Sequence, residues 1–279
     1  MAFMRYVEVT VGPKNGTGFK IDGLKISFHI EKTDSSEPNK ATIKIYNLTQ
    51  DTSSKVTVAD NHIQLRAGYK DETIAAIFFG TVVEGKRYKE GENYITELQV
   101  QDGRAAVMGG YVSISYTKDV AAATVVDDIL NAIGLPCKGQ ENIPSGENYP
   151  SGFAHIGMAT DALRKVLNRF ELSYTVQNEM LYILKKGEAA DKTGLRLTPE
   201  SGLLTIPQPI SDKTSEDNSE AEAKNGWKFS TMLLPELLPG AACKVEASTY
   251  SGDMLIHKAI YDGDNWDGSF KIEIEAEAI

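Results

Sequence analysis

The chain has 279 residues, 41% hydrophobic and 24% charged, an ordinary globular composition that excludes wholesale disorder, collagen and a fibrous coiled coil and leaves room for two or three domains. The formal charge is −10: residues 1–110 carry 14 basic and 14 acidic residues, 111–187 carry 7 and 8, and 188–279 carry 8 and 17. No segment clusters the Lys and Arg that displace counterions from a phosphate backbone, so specific nucleic-acid binding is not expected.

The first segment reads as strands. Leu24, Ile26, Phe28 and Ile30 alternate with Lys25, Ser27 and His29, the period of two of a strand buried on one face. After a polar loop through Ser35, Ser36, Pro38 and Asn39, the alternation resumes at Ala41, Ile43 and Ile45, predicting a paired strand. Thr49 to Val58 has room for one short helix, and Ile63 to Ala67 is a further strand closed by Gly68. Two longer strands, Ile74 to Tyr88 and Tyr94 to Val100, flank the turn residues 89–93. Five or six strands with at most one helix predict a barrel or sandwich.

The period then changes. From Asp119, read as an N-cap, the apolar positions Ala122, Val126, Ile129, Leu130 and Ile133 follow helical spacing and Gly134 supplies the stop. A Gly/Pro-rich connection over 135–152 leads to a second helix, read as capped by Thr160, with a stripe of Leu163, Val166, Leu167 and Phe170. Ser173 to Val176 and Met180 to Leu184 bracket residues 177–179 as a hairpin. This predicts a small two-helix α+β insert ending near Gly187.

The last segment returns to strands at Trp227 to Leu234, Ala242 to Ala247 and Met254 to Tyr261, and closes with Phe270, Ile272, Ile274, Ala276 and Ala278 alternating with Lys271, Glu273, Glu275 and Glu277. Between them, 211–226 holds no large apolar side chain and is expected to be a mobile acidic loop. The predicted fold class is thus mainly β with an α+β insert.

Enzyme signatures are missing. His29, His62, His155 and His257 have no metal-ligand spacing and read as structural or surface residues. Cys137 and Cys243 read as two buried thiols. The sequence has no GxSxG, HExxH, GxxxxGK[ST] or GxGxxG. The run Asp262 to Gly268 opens like a calcium loop, but Trp266 stands where an oxygen ligand is wanted, so a hairpin turn is expected. Glu216, Asp217, Glu220 and Glu222 lie in the polar loop, without the desolvating pocket that glycoside hydrolysis needs. The chain is therefore expected not to be an enzyme, with no catalytic, cofactor or metal site and no cofactor. Apolar runs such as Ala75 to Phe79 are far short of the roughly 20 residues of a membrane span. Met1 to Gly16 lacks the apolar core of a secretory signal, so a soluble protein that stays where it is made is expected, without membrane insertion.

The order of the segments carries the strongest signal. Leu24 to Ile30, Pro38-Asn39 through Ile45-Tyr46-Asn47-Leu48, Ile63 to Tyr69, Phe79-Gly80 and Gln101-Asp102-Gly103 resemble the first tube-type domain of bacteriophage tail baseplate hub proteins. Ser201 to Pro207, Leu233 to Gly240 and the Tyr261 to Trp266 hairpin resemble the second. The resemblance implies two tail-tube-like β-barrel or sandwich domains, 1–110 and 188–279, flanking the α+β domain 111–187. It also implies a homotrimeric ring that adapts a sixfold tail tube to a threefold central spike and leaves a channel for DNA. Its implied partners are tube or tube-initiator proteins on one side, the spike protein on the other, and the tape-measure protein. Its implied place is the virion tail baseplate, after synthesis in the host bacterial cytoplasm, with any spike or lytic part on another chain. The acidic last third suits a channel wall, with Glu273, Glu275 and Glu277 as lining candidates. The hub of a contractile secretion spike or a non-contractile tail shares these features. A β-rich carbohydrate-binding or adhesion module and a cell-wall hydrolase are readings from other classes.

Overall fold

A computed structural model of the chain describes residues 4–71, 73–104, 109–189, 191–210 and 226–279. The first segment holds strands β1 (Arg5–Gly12), β2 (Phe19–Ile21), β3 (Ile26–Thr33) and β4 (Lys40–Tyr46), helix α1 (Gln50–Val56), and strands β5 (His62–Tyr69), β6 (Ile74–Glu90) and β7 (Asn93–Gln101). Strand β1 adds to the expected strands: Val7, Val9 and Val11 alternate with Glu8 and Thr10, a period of two, and are buried in the core. Thr49 caps α1, its side chain accepting the Thr52 N–H.

The insert contains β8 (Tyr111–Tyr116), β9 (Val120–Ala121), α2 (Ala122–Ile133), β10 (Cys137–Lys138), β11 (Asn148–Tyr149), β12 (Phe153–Met158), α3 (Ala159–Asn168), β13 (Leu172–Gln177) and β14 (Met180–Lys185). Both helices start later or earlier than side-chain capping predicts. Asp119 does not cap α2: it sits in a left-handed turn at φ 65°, and the Ala122 N–H is met by the Glu147 carbonyl at 2.9 Å. Thr160 lies inside α3, whose Ala159 N–H is met by the Gly110 carbonyl at 2.8 Å. Neighbouring backbone thus satisfies helix-end donors that a Ser, Thr or Asp side chain usually takes. Gly134 does end α2, left-handed at φ 74° with its N–H on the Leu130 carbonyl. The apolar stripes of α2 and α3 pack against each other and against β13 and β14 in a core that includes Ile129, Leu163, Val166 and Leu181.

The last segment holds β15 (Asp191–Leu197), β16 (Gln208–Pro209), β17 (Gly226–Met232), β18 (Ala241–Glu246), β19 (Ser251–Asp264) and β20 (Phe270–Ala278). The expected loop 211–226 falls outside the described residues except for Gly226, which starts β17. The two β segments share one 13-stranded sheet in the order β16-β17-β20-β19-β3-β4-β7-β6-β5-β1-β2, with β18 and β15 reached from β19. The seam is the antiparallel pairing of β3 with β19, from Lys258 opposite Thr33 to Asp264 opposite Ser27. At Gly263, opposite Phe28, a Cβ would lie 2.1 Å from the Phe28 ring, so only glycine lets that ring rest on the β19 backbone. Phe28 then meets Phe270 edge-on at 6.3 Å, and Phe270 meets Tyr69 at 5.3 Å, joining both segments in one apolar core.

Candidate functional site at the junction of the segments

The alternation of β3 sends Ile26, Phe28 and Ile30 inward, and the next residue of that parity is Lys32. Its side chain is fully buried. The ammonium donates to Asn178 Oδ1 at 2.8 Å and lies 5.8 Å from the Phe78 ring and 5.6 Å from the Tyr261 ring, whose faces favour a cation. Asp102, fully buried just past the end of β7, accepts the Asn178 N–H at 2.5 Å and the Glu179 N–H at 2.8 Å. Asn178 and Glu179 form the β13–β14 turn at φ 55° and 60°. The Asp102 carboxylate thereby satisfies both turn donors.

Asn39 completes the joint. Its Nδ2 donates to the Val176 carbonyl at 2.8 Å and to Gln177 Oε1 at 3.0 Å, while its Oδ1 accepts the Thr33 N–H at 2.9 Å. Gln177 Nε2 and Thr175 Oγ1 both donate to the Thr33 carbonyl, at 2.7 and 3.2 Å. From the last segment, Tyr261 donates its hydroxyl to the Leu237 carbonyl at 2.7 Å. One buried cluster therefore ties all three segments together.

Burial pushes the Lys32 amine down to about 8 and lifts the Asp102 carboxyl to about 6, the latter opposed by the Lys32 charge and the two turn N–H groups. Around neutrality both are ionised and each compensates the other. The arrangement fixes the insert against the sheet, and its charged groups are occupied in doing so. The sequence signal for it was present: Lys32 continues the buried parity of β3, and Asp102 sits in the quoted Gln101-Asp102-Gly103 element.

Glu273, Glu275 and Glu277 alternate with buried Ile272, Ile274 and Ala276, which sets their carboxylates on the face of β20 away from the core. That face is mixed in charge. Glu273 pairs with Lys271 at 2.8 Å and Lys228 at 3.4 Å, and Glu275 stands in register with Lys228 and Lys258 on its two neighbours.

The histidines separate in kind. His29 Nδ1 lies 2.6 Å from Asp262 and its Nε2 3.4 Å from Glu31, and His257 lies 2.6 Å from Asp34 and 3.3 Å from Glu277. Both therefore bridge carboxylates at the β3–β19 seam. His62 approaches Glu179 at 3.4 Å, and the half-buried His155 has no hydrogen-bond partner at Nε2. The reading of two buried thiols needs one correction: Cys243 is buried, whereas Cys137 is only half-buried, on the short β10. Burial pushes the thiols of Cys137 and Cys243 up, to about 11 and about 12, so neither is a ready thiolate. Of the run Asp262 to Gly268, Asp262 to Asp264 end strand β19 and Asn265 to Gly268 lie in the β19–β20 hairpin turn. Glu216, Asp217, Glu220 and Glu222 lie outside the described residues.

No family model matches the sequence, and no curated protein matches it. Solved structures do. The 43 kDa tail protein of prophage MuSo2 from Shewanella oneidensis superposes with a TM-score of 0.67 at 9% identity, covering 98% of each chain. The tail protein of Neisseria meningitidis MC58 superposes at 0.63 and 9% identity, over 99% of this chain and 97% of that one. The fold is that of phage tail proteins. The E. coli c3393 protein, a component of the type VI secretion system with structural similarity to the T4 bacteriophage tail proteins gp27 and gp5, shares the tail-protein fold more distantly. Its TM-score is 0.54 at 13% identity, over 91% of this chain and 73% of that one.

Proposed function

We propose that this chain is the structural hub of a phage tail baseplate, a homotrimeric ring that adapts the sixfold tail tube to the threefold central spike and leaves a channel for DNA. In this reading residues 1–110 and 188–279 are the two tube-like domains of each subunit and 111–187 is carried at one end. The observation that carries the proposal is the β3–β19 seam. It makes two β segments, separated in sequence by the insert, one sheet with one core, across a chain that matches tail proteins over nearly its whole length.

Six such segments from three copies supply the repeated β surface that a ring needs, through backbone edges and sheet faces rather than any reactive side chain. A purely structural part, with no catalysis of its own, accounts for a buried polar cluster devoted to fixing domains. The mixed-charge face of β20, β19 and β3 is the candidate channel wall, where interspersed carboxylates disfavour tight contact with DNA. The likeness to the type VI secretion component favours a second reading, the hub of a contractile secretion spike, with the same geometry.

Native mass spectrometry over a concentration series tests the proposal. A species of three times the 30.5 kDa chain mass is expected, alone or with the spike protein of the same genome. A chain that stays monomeric under both conditions would overturn it.

A further inference from the structure

Lys32 is the one lysine buried among the described residues. An ammonium has three N–H donors, yet this one finds a single hydrogen-bond acceptor, Asn178 Oδ1 at 2.8 Å, and its other neighbours include the Phe78 and Tyr261 rings. Among the described residues no carboxylate makes a direct ion pair with it. Asp102 acts on it through its field, while the Asp102 oxygens accept the N–H groups of Asn178 and Glu179. A charge so placed has lost its water without full compensation. Burial brings the amine down to about 8, so that about a tenth of it is neutral at pH 7.

A neutral lysine amine is a nucleophile, and the group it touches is an electrophile. The Asn178 amide carbon lies one C=O bond beyond Oδ1, hence within about 4 Å of Nζ. A small tilt off the hydrogen-bond line brings it to the roughly 3–3.5 Å of an attack geometry. Both partners are held in place. Asn178 sits in the left-handed turn at φ 55°, its N–H on Asp102 at 2.5 Å, and Lys32 is fixed by the pairing of β3 with β19, where it stands opposite Ala259. Phe78 and Tyr261, both fully buried, keep water from the amine, whereas Asn178 is only half-buried, which gives a small leaving group a way out.

We infer that Lys32 and Asn178 join in an intramolecular isopeptide bond that ties the central sheet covalently to the insert. The ammonium first gives one proton to solvent. The Nζ lone pair then bonds to Asn178 Cγ while the C=O pair moves onto Oδ1. As the C=O re-forms, the Cγ–Nδ2 bond breaks, the attacking nitrogen gives up one proton to water and Nδ2 takes one, leaving as ammonia. An amine and a primary amide thus become a secondary amide and ammonia, with no oxidant or further reactant. Oδ1 has no second donor among the described residues to polarise it, so the reaction is slow and the freshly folded chain carries the ionised pair. The bond closes a loop across a separation of 146 residues. It forms once per chain and turns over no substrate. It does not depend on the hub reading, which stands whether or not the bond forms.

The test is the intact mass of the purified full chain, held at pH 7 and at pH 9 for several days, with a peptide map of each sample. A mass lower by one ammonia, about 17 Da, is expected to accumulate about 10-fold faster at pH 9 than at pH 7, as the neutral amine becomes the main form. The map should contain one branched peptide joining residue 32 to residue 178. Lys32→Met, which lacks the nucleophile, and Asn178→Ser, which keeps an oxygen but no carbonyl carbon, should hold their full mass, with Tm showing that each is folded. The map of the unmodified chain decides the matter even where a variant does not fold. An unchanged mass at pH 9 overturns the inference. Loss of ammonia without a joined peptide also overturns it, by assigning the change to closure of Asn178 on its own backbone, and so does a loss that persists in Lys32→Met.

Discussion

Lys32 and Asn178 are 146 residues apart in sequence, yet the buried ammonium of the first donates to the side-chain carbonyl of the second at 2.8 Å. With the two turn N–H groups that Asp102 accepts, this bond joins the central sheet to the turn of the insert. It also places a positive charge in the interior, where the Asp102 carboxylate compensates it. A buried pair of this kind is poor at adding net stability, and removing one member is expensive. Its effect is to favour one orientation of the insert over others.

The pH dependence of that pair is the first prediction. The Asp102 carboxyl is raised to about 6 from 3.8, so its contribution is complete below pH 4 and is lost as pH rises through 6. The Lys32 amine is lowered to about 8 from 10.5, so its contribution is complete above its ordinary value and is lost as pH falls through 8. Between 6 and 8 each relies on the other's charge. Lys32→Met should therefore cost about 3–5 kcal/mol at pH 7.5, and distinctly less at pH 5, where Asp102 takes a proton. Lys32→Met with Asp102→Asn should cost less than the sum of the single variants. Urea unfolding at both pH values checks this, and a Lys32→Met penalty independent of pH would contradict it.

Removing Asn39 should loosen the insert without touching a charge. Its side chain meets the Val176 carbonyl, Gln177 Oε1 and the Thr33 N–H, all in a site only 3% exposed. Asn39→Ala leaves those groups short of a partner, at a cost of about 1–3 kcal/mol. Hydrogen exchange should accelerate in β13 and β14 more than in β20. Uniform acceleration across the sheet would mean that the joint acts on global stability alone.

The strands of β3 and β20 and the existence of both insert helices were legible because each shows its own period within a dozen residues. The tail-protein fold was legible from the order of short elements around Tyr46-Asn47-Leu48 and Tyr261 to Trp266. The β3–β19 seam was not, since no turn or loop length fixes a pairing between Phe28 and Gly263. The helix starts depart from the side-chain capping pattern because backbone carbonyls of Glu147 and Gly110, brought up by tertiary structure, replace the caps. Lys32 was not legible as a core residue because a lysine is rarely fully buried without a partner, and its partner Asn178 lies 146 residues away, although the parity of the strand continues through it.

The seam itself predicts a steric penalty. Gly263→Ala drives a methyl group into the Phe28 ring, which is 4% exposed and backed by Phe270 and Tyr69. Overpacking of this sort costs about 1–3 kcal/mol. Phe28→Leu, which frees space at the same point, should recover part of the loss in the double variant. Thermal unfolding of the two single variants and the double variant measures that coupling, and strict additivity would show that the two positions do not meet.

The histidines at the seam predict a loss of stability on the alkaline side. The His257 imidazole is raised above its ordinary value by its hydrogen bond to Asp34, with burial opposing and Glu277 assisting. Burial likewise works against the His29 cation, but Asp262 and Glu31 outweigh it. A raised imidazole contributes fully below its ordinary value near 6.5 and loses that contribution as pH rises through its folded value. His257 is 40% exposed, so solvent screening limits the effect to about 1 kcal/mol or less. The unmodified chain should lose Tm between pH 6 and pH 8.5, and His257→Gln should flatten that slope at low salt while 0.5 M NaCl narrows the difference between them. Parallel Tm profiles for the two proteins would show that these ion pairs do not couple the β segments.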